Sequence, residues 1–206
     1  MRSPRNLLAL FFLTLFLATP SLPARAEATA ASAVVRDFYD ALTDTMKQGE
    51  ALGFAGRYKK LQPAIEKSFN LPLMTRIAVG SAWRMAQPEA QREVVTAFTG
   101  FSIATYASRF VKYDGEQFAV LGEKTASGGG VIVETTLTPK GEEAVALNYL
   151  VRIDDEGKPR IVDVFLNATI SELATRRAEF SAVVNRDGFA ALAAMLNEKA
   201  KKMGAS

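Results

Sequence analysis

The spacing of apolar residues divides the chain into helices, then strands, then helices again. From Ala28 to about Met46, Val34, Val35, Phe38, Leu42 and Met46 recur at helical intervals and predict an amphipathic helix. The stretch "KQGEALGFAG" predicts an interruption. "RYKKLQPAIEKSF" predicts a second helix, with a restart or kink at Pro63. Asn70 has the chemistry of an N-cap for "LPLMTRIAV", with Pro72 in the first turn and Gly80 at the end. Pro88-Glu89 starts a long helix that should run to about Val111. This helix carries two apolar sides. Phe98 and Phe101 align with Val94, Ile103 and Phe110 point almost the opposite way, and Tyr106 falls between.

Beyond residue 114 the period changes to two. "GEQFAVLGEK", "GVIVETTLT", "AVALNYLVRID" and "PRIVDVFLN" predict four strands, joined by the turn-rich pieces "ASGG", "PKGEE" and "DDEGK". Val131, Val133 and Leu137, then Val145, Leu147, Tyr149, Val151 and Ile153, then Val162, Val164 and Leu166, make one apolar face. Glu134, Thr136, Asn148, Arg152 and Asp163 belong to the other. Two helices follow, about 171–184 and 188–202. The expected fold is α+β: a curved, antiparallel four-stranded meander covered by helices on one face, with the 88–111 helix as the candidate cover.

The N-terminus changes the reading of charge. "MRSPR", the apolar run "NLLALFFLTLFLA" and the ending Ala24-Arg25-Ala26 form the three parts of a secretory signal, so residues 1–26 are expected to be cleaved and 27–206 to form a single domain. The apolar run is shorter than the roughly 20 residues needed to span a bilayer. The formal charge of +3 comes from 25 Lys and Arg against 22 Asp and Glu. Arg2, Arg5 and Arg25 lie in the leader, which holds no acid, so the mature chain is balanced. Nor do basic residues cluster with aromatics, and nucleic acid is not an expected partner.

There is no cysteine and no histidine. The first absence removes disulfides, thiol chemistry and thiolate metal sites; it also removes the lipid-anchoring cysteine of a lipoprotein. No metal and no cofactor are expected. "GFSIA" at 100–104 lacks both the closing Gly of a nucleophile elbow and a histidine to activate Ser102. "SGGGV" at 127–131 fits a hairpin turn rather than a phosphate loop, and "DDEG" at 154–157 fits a solvated turn. Asp163 interrupts an apolar strand, either as a desolvated general base or, by preference, as a polar-face residue paired with Arg152 or another neighbour. Arg176-Arg177 reads as the wet face of a helix before it reads as a phosphate clamp, and Trp83 as an anchor.

The pieces "FNLPLMTRIAVGSAWRMAQPEAQREVVTAF", "ATYASRF", "IVDVFLN" and "RRAEFSAVVNRDGFAALAAMLNEKA", in this order, resemble the MlaC family of periplasmic phospholipid-binding transport proteins, also described as a toluene-tolerance auxiliary component. "ATYASRF", "YDGEQF" and "TISELATRRAEF" are closer to its hopanoid-associated HpnM branch. Tyr106 matches the family's "TYA" aromatic, Val162–Val164 with Asp163 its "DV" strand, and Arg177 and Phe180 the Arg and Phe that follow. Two positions depart from the phospholipid carriers: "NATIS" stands where they have Gly-Ser, and "KPRI" where they often have Trp.

The resemblance implies an NTF2-like α+β cone with an internal apolar cavity, located in the periplasm and working without catalysis. It implies a hopanoid or phospholipid ligand, an inner-membrane lipid transporter and an outer-membrane acceptor complex as partners, and a monomer by default. The lipid-binding set expected on this basis is Leu73, Met74, Ile77, Phe98, Phe101, Tyr106, Phe110, Val133, Leu147, Tyr149, Val164, Ile170, Leu173 and Phe180. Two other readings stay open at this point: a cargo-free adaptor of a membrane complex, and an NTF2-like enzyme with Asp163 as base.

Overall fold

The computed structural model describes residues 29–205, and the expected leader lies outside them. The elements run α1 (Ala30–Lys47), α2 (Gly49–Ser68), α3 (Leu71–Val79), a 3-10 turn (Gly80–Met85), α4 (Pro88–Arg109), β1 (Gln117–Thr125), β2 (Val131–Thr138), β3 (Val145–Ile153), β4 (Pro159–Leu166), β5 (Ile170–Ser171), α5 (Glu172–Asp187) and α6 (Phe189–Ala205). The fold is α+β. The sheet is antiparallel throughout, in the order β1-β2-β3-β4-β5.

It has five strands rather than four. Asn167 and Ala168 both take positive φ, 50° and 62°, and reverse the chain directly after β4. Ile170 and Ser171 then pair back onto Leu166 and Phe165. Non-glycine residues in this region are uncommon, so periodicity alone could not announce the turn.

The helix that covers the sheet is α1, not α4. Val34, Val35, Phe38, Tyr39, Leu42 and Met46 are buried along one stripe, and α1 packs on β1 through β4. Its first turn is tied to the sheet by a side chain of β1. The Glu123 carboxylate accepts hydrogen bonds from the Thr29 and Ser32 hydroxyls and from the Ser32 N–H. α4 instead packs on α6, α2 and α3. The expected interruption after α1 is mostly helical: α2 begins at Gly49 and breaks only at Gly53, whose φ of 59° and ψ of −178° are not helical. Gly49 itself admits no side chain, because a Cβ there would fall 1.8 Å from the Val111 carbonyl oxygen. Arg57 fixes this corner. Its buried guanidinium donates to the Gly49 carbonyl at 2.7 Å and to the Ala107 carbonyl of α4 at 2.8 Å.

Asn70 caps α3 as its position predicts, accepting from the Leu73 N–H at 3.1 Å, and Gly80 ends the helix with φ 80°. The apolar alternation of β4 breaks where it was expected to hold. Tyr149 pairs with Val164, but Val151 pairs with Ile161, so Val162 is the extra residue of a bulge. Ile161, not Val162, therefore continues the core face, and Val162 is buried outside the main core cluster.

Candidate functional site: an apolar cavity between α4, α5 and the sheet

A cavity of about 260 Å³ opens between α4, α5 and the face of β2–β4. Its inner wall is Ile65, Phe69, Leu71, Met74, Phe98 and Leu173; Leu137, Leu147, Val164 and Leu166 supply the sheet side. One stripe of α4 runs along it: Phe98, Ser102, Thr105, Tyr106, Arg109 and Phe110. The steps of three and four residues keep these side chains on one side of the helix. Phe110, the C-cap of the helix, follows Tyr106 by four residues and closes the stripe. Phe98 and Phe110, expected on opposite sides of the helix, thus meet in the same space.

The open end lies where Arg109 and Val145 reach solvent. Glu172 and Arg176, on the first turns of α5, complete it. They pair at 3.3 Å, and the Arg176 guanidinium lies 4.8 Å from the centre of the Phe101 ring. Arg176 is therefore not on the wet face that its spacing suggested.

Asp163 holds this end of α5 in place. One carboxylate oxygen accepts from the N–H of its own neighbour Val164 at 2.8 Å and of Leu173 at 3.1 Å, and the other from the Ser171 hydroxyl at 2.6 Å. Ser171 in turn caps α5, accepting from the Ala174 N–H at 2.9 Å. Asp163 is buried but does not line the cavity, and its expected partner Arg152 donates instead to the Gly128 and Gly129 carbonyls. The general-base reading of Asp163 does not hold; the reading of a polar side chain satisfied by a neighbour does, with Ser171 and Leu173 in place of Arg152. It is a staple between β4 and α5 rather than a polar-face ion pair or an available base.

An aromatic cluster runs from the cavity wall into the core behind it. Tyr106 meets Phe38 edge-on at 5.1 Å, stacks on Phe110 at 5.9 Å and lies 5.8 Å from Phe69. Tyr39 and Tyr149 follow, 5.6 Å apart, and the Tyr39 hydroxyl shares a hydrogen bond with Thr135 at 2.6 Å. Burial pushes the Tyr39 phenol up to about 12, against the pull of that bond, and pushes Tyr106 and Tyr149 up as well.

The structure brings Met74, Phe98, Tyr106, Phe110, Leu147, Val164 and Leu173 together around the cavity. The other seven expected residues lie elsewhere. Val133 and Tyr149 are core behind the wall, and Phe180 stands 6.0 Å behind Phe98. Phe101 supports Arg176 from outside the space; Leu73 and Ile77 are half-buried away from it, and Ile170 is exposed on β5. The residues missed include Phe69, Ser102, Thr105, Leu137, Arg109, Glu172 and Arg176. For the α4 members the i, i+4 relation to Phe98 and Tyr106 was an available signal; for the mouth charges there was none without the fold.

The model of the family described as "MlaC protein" matches residues 36–198, most of the chain. The protein belongs to the MlaC family. A solved structure with the same fold as this MlaC family member is the phospholipid-binding protein from Ralstonia solanacearum, determined in complex with a phospholipid. The TM-score is 0.72 at 24% identity, over 84% of this chain and 98% of that one. No curated protein matches the chain. Among the described residues no group of acidic side chains could hold a metal ion, and no helix is long and apolar enough to cross a membrane.

Proposed function

We propose that this protein is a periplasmic lipid carrier, which holds lipid tails in the cavity beneath α4 and shuttles lipid between inner- and outer-membrane complexes. The observation that carries this reading is the cavity itself: apolar from Phe69 to Leu166 and charged only at its open end. In a solved protein of the same fold a phospholipid is bound. Two acyl chains of roughly 30 methylenes represent about 24 kcal/mol of transfer free energy at ~0.8 kcal/mol each. Only a comparably apolar space can take them from a bilayer. Ligand pockets usually measure roughly 300–1,000 Å³, so the 260 Å³ space has to widen as the tails enter.

A hopanoid is the alternative cargo, favoured by the HpnM-like pieces around Tyr106, Tyr113 and Glu172. The enzyme reading loses its base, because both Asp163 oxygens are committed to holding α5.

The test is native mass spectrometry of the protein from its own periplasm, followed by organic extraction. A stoichiometric phospholipid or hopanoid is expected. Ser102→Trp, which fills the half-buried middle of the cavity, should lower the bound fraction at least about tenfold, the loss of roughly two buried methylenes, and keep the thermal midpoint. A lipid-free mass that persists after incubation with both lipid classes would instead favour the adaptor.

A further inference from the structure

At the far end of α5 from the cavity mouth lies a second recess, open to solvent and about 570 Å³ in volume. It sits between the 3-10 turn and the corner where α5 passes into α6. Ala82, Met85, Val184 and Phe189 give it an apolar floor, and Arg84 stands at its edge. It shares no residue with the apolar cavity. Glu172 and Val184, which mark the two sites on α5, are roughly 18 Å apart at about 1.5 Å per residue.

The floor is held in place before anything binds. Trp83, the single tryptophan of the chain, packs edge-on against Phe189 with ring centres 6.5 Å apart. The Gln91 side-chain amide donates to the Trp83 carbonyl at 2.9 Å, and the Ala86 N–H donates to the same carbonyl at 3.3 Å. A ligand therefore does not have to order the turn, which lowers the entropy lost on binding. Met85 projects at the lip, 84% exposed. An adaptable methionine beside fixed rings is typical of surfaces that contact other proteins.

Two guanidinium groups border the recess without a counter-ion. Arg84 is exposed on the turn. Arg177, also exposed, lies across Gly80, where a Cβ would fall 3.2 Å from its Nε. Among the described residues no carboxylate pairs with either. Arg186 differs, because Asp187 takes it at 2.7 Å, and Glu179 is engaged by Lys199. The recess is thus apolar in the middle and cationic at its rim.

We propose that this recess docks an acidic segment of a partner protein, one that sets an apolar side chain against Phe189 and carboxylates against Arg84 and Arg177. An anionic membrane surface fits less well. It gains about 1 kcal/mol per cation and is usually read by roughly four to eight of them, whereas two stand here around a concave floor. The inference goes beyond the carrier reading and does not depend on what the cavity holds. On that reading, a segment held here leaves the cavity mouth uncovered, so cargo can pass while the partner stays docked.

The experiment replaces Met85 by the photo-crosslinking residue p-benzoylphenylalanine in the full chain, produced in its own cells. The segment joined on illumination is identified by mass spectrometry, and a synthetic peptide of that segment is titrated against the wild-type protein, with Trp83 fluorescence as the readout. One dominant protein adduct is expected, whose joined segment carries an apolar residue flanked by carboxylates. Arg84→Glu combined with Arg177→Glu should weaken the peptide by about tenfold or more, from two lost ion pairs and two new repulsions. The same positions changed to Lys should keep most of the affinity. Both side chains are exposed and outside the cavity, so the thermal midpoint and the bound lipid should match the wild type. A joined segment without acids, an affinity that survives the charge reversal, an adduct with lipid alone or with a second copy of this chain, or no adduct at all would each overturn the proposal.

Discussion

At the inner end of the cavity the wall is backed by interlocked rings, whereas the open end sets Arg109, Glu172 and Arg176 around an exposed Val145. Phe38 is fully buried and meets Phe69 edge-on at 5.0 Å, Tyr106 at 5.1 Å and Tyr149 at 6.5 Å. Arg109 has no ion-pair partner among the described residues, and Val145 is 41% exposed. Edge-on ring pairs fix one geometry and exclude water; exposed charged side chains exchange partners at little cost. Shape is thus set at the floor, and charge is confined to the rim.

Alkaline pH should break this contrast most severely. The raised phenols of Tyr39, Tyr106 and Tyr149 keep their protons in the folded state after the unfolded chain has lost them. Their stabilising contribution is complete below about pH 10, the ordinary tyrosine value, and declines as pH rises toward the folded value of about 12 for Tyr39. Each such tyrosine costs about 1.4 kcal/mol per pH unit in that window. Urea midpoints measured from neutral pH upward should fall steeply above about pH 10, with the tyrosinate absorbance of these three phenols added on unfolding. Substituting Phe38 by Ala should cost about 3–5 kcal/mol in urea unfolding, as for other large-to-small changes in a packed core. The smallest of the three effects belongs to the hinge between floor and rim. Asp163→Ala strands the Val164 N–H on β4 and the Ser171 hydroxyl and Leu173 N–H at the start of α5, and should cost about 2 kcal/mol. It should also increase hydrogen exchange at Leu173 and Ala174 while leaving that at α1 unchanged.

Much of the architecture was legible from local pattern. The α1 stripe from Val34 to Met46, the Asn70 cap, the Gly80 stop and the hairpins around Gly129 and Gly157 all follow from spacing and turn chemistry. What was not legible depends on contacts distant in sequence. α1 and α4 are both amphipathic, and nothing local says which of them lies on the sheet. The bulge at Val162 shifts β4 by one residue at a point where both candidates are apolar. Half of the expected cavity residues proved to be wall backing or surface because burial and access look alike in a pattern: Tyr149 and Leu147 alternate perfectly, yet only Leu147 lines the space. Arg176 was hidden differently, since a charge on a helix normally faces water unless a ring such as Phe101 is there to shelter it.

The outer strand β1 carries one further irregularity, at Leu121. Its pairing with β2 slips between Val120 and Gly122, which leaves Leu121 unpaired and turned to solvent. Among the described residues β1 is also a border strand of the sheet, and such borders invite a second chain to add itself as another strand. A bulge twists the border and interrupts its regular row of donors and acceptors. The slipped register therefore works against fibril-like growth between copies at this margin of the sheet.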